Sequence, residues 1–114
     1  MPRRELILSG YKGMWVIAMF DLPVKTKKEQ KRAAKFRNLL LREGFSMLQF
    51  SIYARYCSSE DTGNKFRDHI RQHLPASGNI RLLMVTDRQF GKMDVFHGKT
   101  KSKTEQTPSQ LMLF

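Results

Sequence analysis

One carboxylate stands where chemistry is most easily placed. Residues 14–20, Met-Trp-Val-Ile-Ala-Met-Phe, form an unbroken apolar run that stops at Asp21-Leu22-Pro23. Pro23 lacks a backbone donor and disfavours helix at the residue before it, so the run reads as a strand that ends at Asp21. A strand apolar at every position is covered on both faces. Ligands and catalytic groups collect at the ends of central strands in mixed α/β folds. A carboxylate there can hold a divalent cation, or it can close its own turn with a hydrogen bond. This stretch alone leaves both readings open.

The second chemical signal is positive charge. The 114 residues carry a formal charge of +11, which calls for a polyanionic partner, nucleic acid before an anionic membrane surface. The charge concentrates just after Pro23, in Lys25, Lys28, Lys31, Arg32, Lys35 and Arg42, with Lys27 and Arg37 nearby and only Glu29 and Glu43 opposing. A charged helix face is ordinarily a solvated face. One of nearly uniform sign accepts self-repulsion and suits phosphates. Arg55, on the opposite side of its strand from Ala54, could reach a phosphate or a carboxylate. His69 and His73 have a metal-pair spacing, but no glutamate or third ligand accompanies them, so they read as ordinary helix histidines. The single Cys57 can form neither an intrachain disulfide nor a cysteine zinc site. It reads as a small buried residue in a protein of the reducing cytoplasm.

The elements that must position these groups follow from capping and periodicity. The length suits one domain, and a hydrophobic content of 40% suits a globular one. No stretch is long and apolar enough to span a bilayer, and the start lacks a signal-peptide core. Residues 1–13 read as a loose arm. Thr26-x-x-Glu29 is a capping box opening a helix over 27–43, with Ala33, Phe36, Leu39 and Leu40 as its core stripe and Gly44 closing it. Residues 45–56 read as strand, with a bulge or a join between two strands at Gln49-Phe50-Ser51. Ser58 and Ser59 cap a second helix that Pro75 stops. Residues 80–86 form another strand, 87–92 turn the chain, and 93–98 return as the last strand of that hairpin. From Lys99 to Gln110 the chain reads as a flexible tail ending in an apolar tetrapeptide suited to a sheet edge.

This order predicts an α+β sandwich of ferredoxin-like type over 14–98, an antiparallel sheet with two helices on one face. The segment 99–114 is then a tail whose end adds a strand at a dimer edge. Strands apolar on both faces leave the second sheet face needing cover, which predicts a homodimer. Trp15 and Ile17, with Leu111, Met112, Leu113 and Phe114, are the expected interface residues.

The apolar strand ending in Phe20-Asp21-Leu22-Pro23, the Gln49-Phe50-Ser51-Ile52-Tyr53 strand motif and the Ile80–Thr86 strand, taken at their joint spacing, resemble the CRISPR-associated protein 2 family. The residues around Gly44-Phe45 and Thr86–Phe90 look most like members from systems with a single large effector nuclease. The resemblance implies a homodimer that binds double-stranded DNA between two dimers of the integrase subunit, CRISPR-associated protein 1. It also implies a metal-dependent endonuclease activity in some members. The family's first-strand aspartate falls on Asp21, which would bind magnesium with its copy across the two-fold axis. Three other roles compete: a scaffold with no catalysis, a ferredoxin-like RNA-binding module, and a toxin-like endoribonuclease on the same fold. The RNA-binding module lacks support, because residues 49–56 miss the glycine pattern of such readers.

Overall fold

The computed structural model describes residues 13–107. Strand β1 (Met14–Asp21) lies inside a four-stranded antiparallel sheet with β2 (Ser46–Gln49), β3 (Ile52–Cys57) and β4 (Asn79–Thr86), in the order β2-β3-β1-β4. Helix α1 (Lys27–Arg42) connects β1 to β2, and α2 (Glu60–Arg71) connects β3 to β4. This is the ferredoxin-like arrangement expected. All but the last residue of the expected arm 1–13, and the tail's final residues Leu111, Met112, Leu113 and Phe114, lie outside the described residues.

Pairing on both edges explains why β1 is apolar throughout. Alternate residues point to opposite faces. Val16, Ala18 and Phe20 join Phe36, Leu39, Leu40, Phe45, Tyr53, Cys57 and Ile70 in the main core beneath α1 and α2. Trp15 and Ile17 join Ala54 and Phe90 on the face turned away from those helices. The cap of α1 is as read: Thr26 accepts from the Glu29 amide at 3.0 Å, and Glu29 accepts from the Thr26 amide at 2.9 Å. Such a cap contributes about 1 kcal/mol. Residues 45–56 resolve into two strands joined at Phe50-Ser51, where Ser51 takes a φ of 64°. Phe50 is left 90% exposed at that tip.

The hairpin expected after β4 does not form. Residues 87–91 are a third, short helix, α3 (Asp87–Gly91), opened by a second capping box between Thr86 and Gln89. Its spacing is the one that marks α1, so the signal was present in Thr86-x-x-Gln89. The return strand is shorter than expected and pairs elsewhere: β5 (Val95–His97) pairs with β6 (Thr100–Ser102) in a separate two-stranded sheet, so part of the expected tail is ordered. The difference has a packing cause. Phe90 is 2% exposed and stacks on Trp15, with ring centroids 4.0 Å apart, and the Trp15 indole donates to Asp87 Oδ1 at 2.8 Å. A hairpin would have carried Phe90 away from Trp15.

Trp15 and Ile17, expected to wait for a second copy, are therefore buried within one chain, at 6% and 8% exposure. Leu83, opposite Ile17 across the β1–β4 pair, stays 47% exposed. Among the described residues the helix-free face is covered at its Trp15 end and open at its Asp21 end. Phe90→Ala should remove the cover and cost about 3–5 kcal/mol, read by urea denaturation with tryptophan fluorescence. A loss below about 1 kcal/mol would show that α3 does not hold this face.

Candidate active site

Asp21 is exposed at the last position of β1. By alternation it shares the helix-free face with Trp15, Ile17 and Met19. Its cross-strand partner is Asn79, and Met19 stands opposite Arg81. The strand end is held from two sides. The Phe20 amide donates to the Ser51 carbonyl at 3.0 Å, tying the β2–β3 tip to β1 one residue before the carboxylate. Gly78 passes so close that a Cβ there would meet the Asp21 carbonyl at 2.8 Å, and its φ of 99° suits glycine. The Asp21 carboxylate itself makes no hydrogen bond or ion pair among the described residues. That removes the closed-turn reading and leaves the group free for a ligand.

Among the described residues no group of three or more His, Cys, Asp and Glu side chains is placed to hold an ion. His69 Nδ1 meets Glu43 Oε1 at 2.8 Å, which ties α2 to the end of α1, and His73 Nδ1 meets the His69 carbonyl at 2.8 Å. Both histidines are thus engaged in helix contacts.

The basic residues occupy the other side of the molecule. Lys25 lies in the loop before α1, and Lys28, Lys31, Arg32, Lys35 and Arg42 lie on α1; all are exposed. Among the described residues none of them forms an ion pair. Arg32, Lys35 and Arg42 also line a cleft of about 250 Å³ floored by Phe36, Leu39, Leu74 and Pro75. Because α1 packs on the face opposite Asp21, the structure does not join the basic helix and the carboxylate into one site.

Arg55 is the exception among the expected phosphate contacts, and its placement corrects that expectation. Its guanidinium lies 4.0 Å from the Phe66 ring centroid, and Nη1 donates to the Tyr56 carbonyl at 3.0 Å. A side chain at Gly44 would crowd it, since a Cβ there would lie 3.2 Å from the guanidinium carbon. Arg55 is half-buried and packs the β3–α2 contact.

The family model described as CRISPR associated protein Cas2 matches residues 14–93. The chain belongs to the Cas2 family. A Cas2 relative from Flavobacterium psychrophilum is 45% identical over 107 residues, covering 94% of this chain and 93% of that protein. One from Parvibaculum lavamentivorans is 48% identical over 101 residues, covering 89% of this chain and 100% of its own. Another, from Paracidovorax avenae, is 43% identical over 108 residues, covering 95% and 100%. All three bear the name CRISPR-associated endoribonuclease Cas2.

Two titrating groups sit at the Trp15 end of the sheet, Tyr56 on the helix-free face and Cys57 in the core beneath the helices. Burial raises the Tyr56 phenol, helped by the negative charges of Asp87 and Cys57. Burial also raises the Cys57 thiol against the opposing pull of Arg55. An acid whose folded pKa is raised holds its proton longer folded than unfolded. Its stability contribution is complete below the unfolded pKa and is lost as pH rises through the folded value. Stability should therefore fall as pH rises through the ordinary Cys and Tyr range and beyond it. Urea denaturation across that range should show a shallower fall for a Tyr56→Phe, Cys57→Ala variant. Equal slopes would refute the assignment.

Proposed function

We propose that this chain is a homodimeric subunit of the CRISPR spacer-acquisition machinery. It holds double-stranded DNA along α1, stands between dimers of the integrase CRISPR-associated protein 1, and hydrolyses phosphodiesters at a site built from two copies of Asp21. The observation that carries this is the free carboxylate at the open half of an apolar face. Met19, Ile52 and Leu83 there offer a second copy the surface that α3 does not cover. Joining two such faces supplies the second carboxylate that one chain lacks.

Magnesium fits this donor set. It keeps several waters and is held by one or two carboxylates together with substrate phosphate oxygens. Asp21 and its copy would hold it, and when bound it supplies charge neutralisation at the phosphate and a more acidic water. In the hydrolysis, a water oxygen bonds to phosphorus and gives up a proton to solvent, the phosphorus–ester oxygen bond breaks, and the departing oxygen takes a proton from solvent. The relatives named endoribonucleases support nuclease chemistry of this kind. The unpaired cations of α1 support the binding role and, lying across the sheet from Asp21, act independently of it.

A scaffold without cleavage is the second reading. It is favoured by the sparse carboxylates: among the described strand residues of its face, Asp21 has no acidic neighbour to serve as a general base. One experiment separates the two. Asp21→Asn should lower magnesium-dependent cleavage by roughly 10²-fold or more, while duplex affinity and dimer mass stay unchanged. If spacer acquisition survives in that variant, the scaffold reading prevails.

Replacing Lys28, Arg32 and Lys35 together with Ala should weaken duplex binding. It should also reduce the slope of log affinity against log salt by about 3, one counterion for each lost phosphate contact. An unchanged slope would remove α1 from the interface.

A further inference from the structure

The helix-free face of the four-stranded sheet is nearly uncharged. Alternation places Trp15, Ile17, Met19 and Asp21 of β1 there, with Ile52, Ala54 and Tyr56 of β3 and Asn79, Arg81, Leu83 and Val85 of β4. Strand β2 carries no charge at all. Asp21 is thus the one carboxylate, and Arg81 the one cation, among the strand residues of this face. The register makes them diagonal neighbours, since Asp21 faces Asn79 while Arg81 faces Met19, two residues away on each strand. Such neighbours lie about 7–8 Å apart at their Cα atoms.

The two charges stand side by side on an otherwise uncharged face, and among the described residues Arg81 makes no ion pair or hydrogen bond and is exposed. The guanidinium is therefore available, beside the Asp21 carboxylate, to a ligand that approaches this face. The local chemistry says which ligand. A guanidinium presents a fixed fork of donors that matches the geometry of a phosphate, and it cannot lose its charge. A lone carboxylate two residues off repels a phosphate unless a cation sits between them.

We propose that Arg81 holds the phosphate at the Asp21 site, binding its non-bridging oxygens while the divalent ion occupies Asp21. This rests on the nuclease reading above and names the group that completes it. Arg81 is the positive side of a site whose negative side is Asp21. It stands apart from the α1 cations, which lie across the sheet. Arg81 would orient the phosphodiester and offset the charge that builds on its oxygens during attack.

The test uses full-length protein and a single-stranded phosphorothioate oligonucleotide, which binds but resists cleavage. With magnesium present, Arg81→Ala should bind this probe about 10-fold more weakly than wild type, with Arg81→Lys in between. Duplex affinity at the α1 surface should stay constant. On a cleavable strand, Arg81→Ala should lose about 10²-fold in turnover. Unchanged probe affinity in Arg81→Ala overturns the proposal. So does dissociation of the dimer in Arg81→Ala, which would mean that Arg81 pairs with a carboxylate of the second copy. If Asp21→Asn leaves cleavage intact while Arg81→Ala weakens the probe, the nuclease reading at Asp21 fails and the phosphate site at Arg81 stands.

Discussion

Strand β1 is apolar on both faces, yet the two long helices can cover only one of them. Everything else in the molecule answers to that mismatch. On the helix side, Val16, Ala18 and Phe20 meet a continuous core built from α1, α2 and the neighbouring strands. On the other side, among the described residues, α3 covers the first half of β1 by stacking Phe90 on Trp15 and fixing the indole to Asp87, and Glu105 and Gln106 line a cavity with Trp15, Ala54 and Tyr56. Parallel stacking of this kind adds about 0.5–1.5 kcal/mol beyond area burial. Among the described residues, the second half of β1, ending at Asp21, is left uncovered on this side.

That division gives the two sides of the sheet different work. The outer surface of α1 presents unpaired cations to solvent, suited to a long polyanion and tolerant of sequence. The open end of the opposite face presents one carboxylate in an apolar surround, suited to a symmetric encounter in which a second copy doubles the charge and excludes water. On the proposed function, binding and cleavage rest on separate surfaces. Their separation also explains why the fold tolerates so much like charge on α1: the repulsion is not focused on the strand end.

Much of this was legible in the residues. The apolar run to Asp21, the Thr26-x-x-Glu29 cap and the core stripe of α1 each signal their structure locally, and the element order fixes the sandwich. What escaped was long-range. Thr86-x-x-Gln89 carries the same capping signal as Thr26-x-x-Glu29, but a helix of five residues is too short to show periodicity. Its stability comes from Phe90 packing on Trp15, 75 positions away in sequence. For the same reason Trp15 looked available to a partner. Arg55 looked like a phosphate ligand because alternation gives a side chain's face and not its neighbour, and the neighbour proved to be Phe66. Arg81 drew no attention in the sequence because its isolation is a property of the whole face, visible only once the strands are in register.

The central claim is that the open half of the helix-free face pairs with its copy and brings two Asp21 carboxylates to one divalent ion. Manganese is a paramagnetic stand-in for magnesium, so titration followed by electron paramagnetic resonance counts the bound ions directly. The account predicts about one ion for every two chains, with binding lost in Asp21→Asn. One ion for each chain, or binding indifferent to Asp21→Asn, would contradict it.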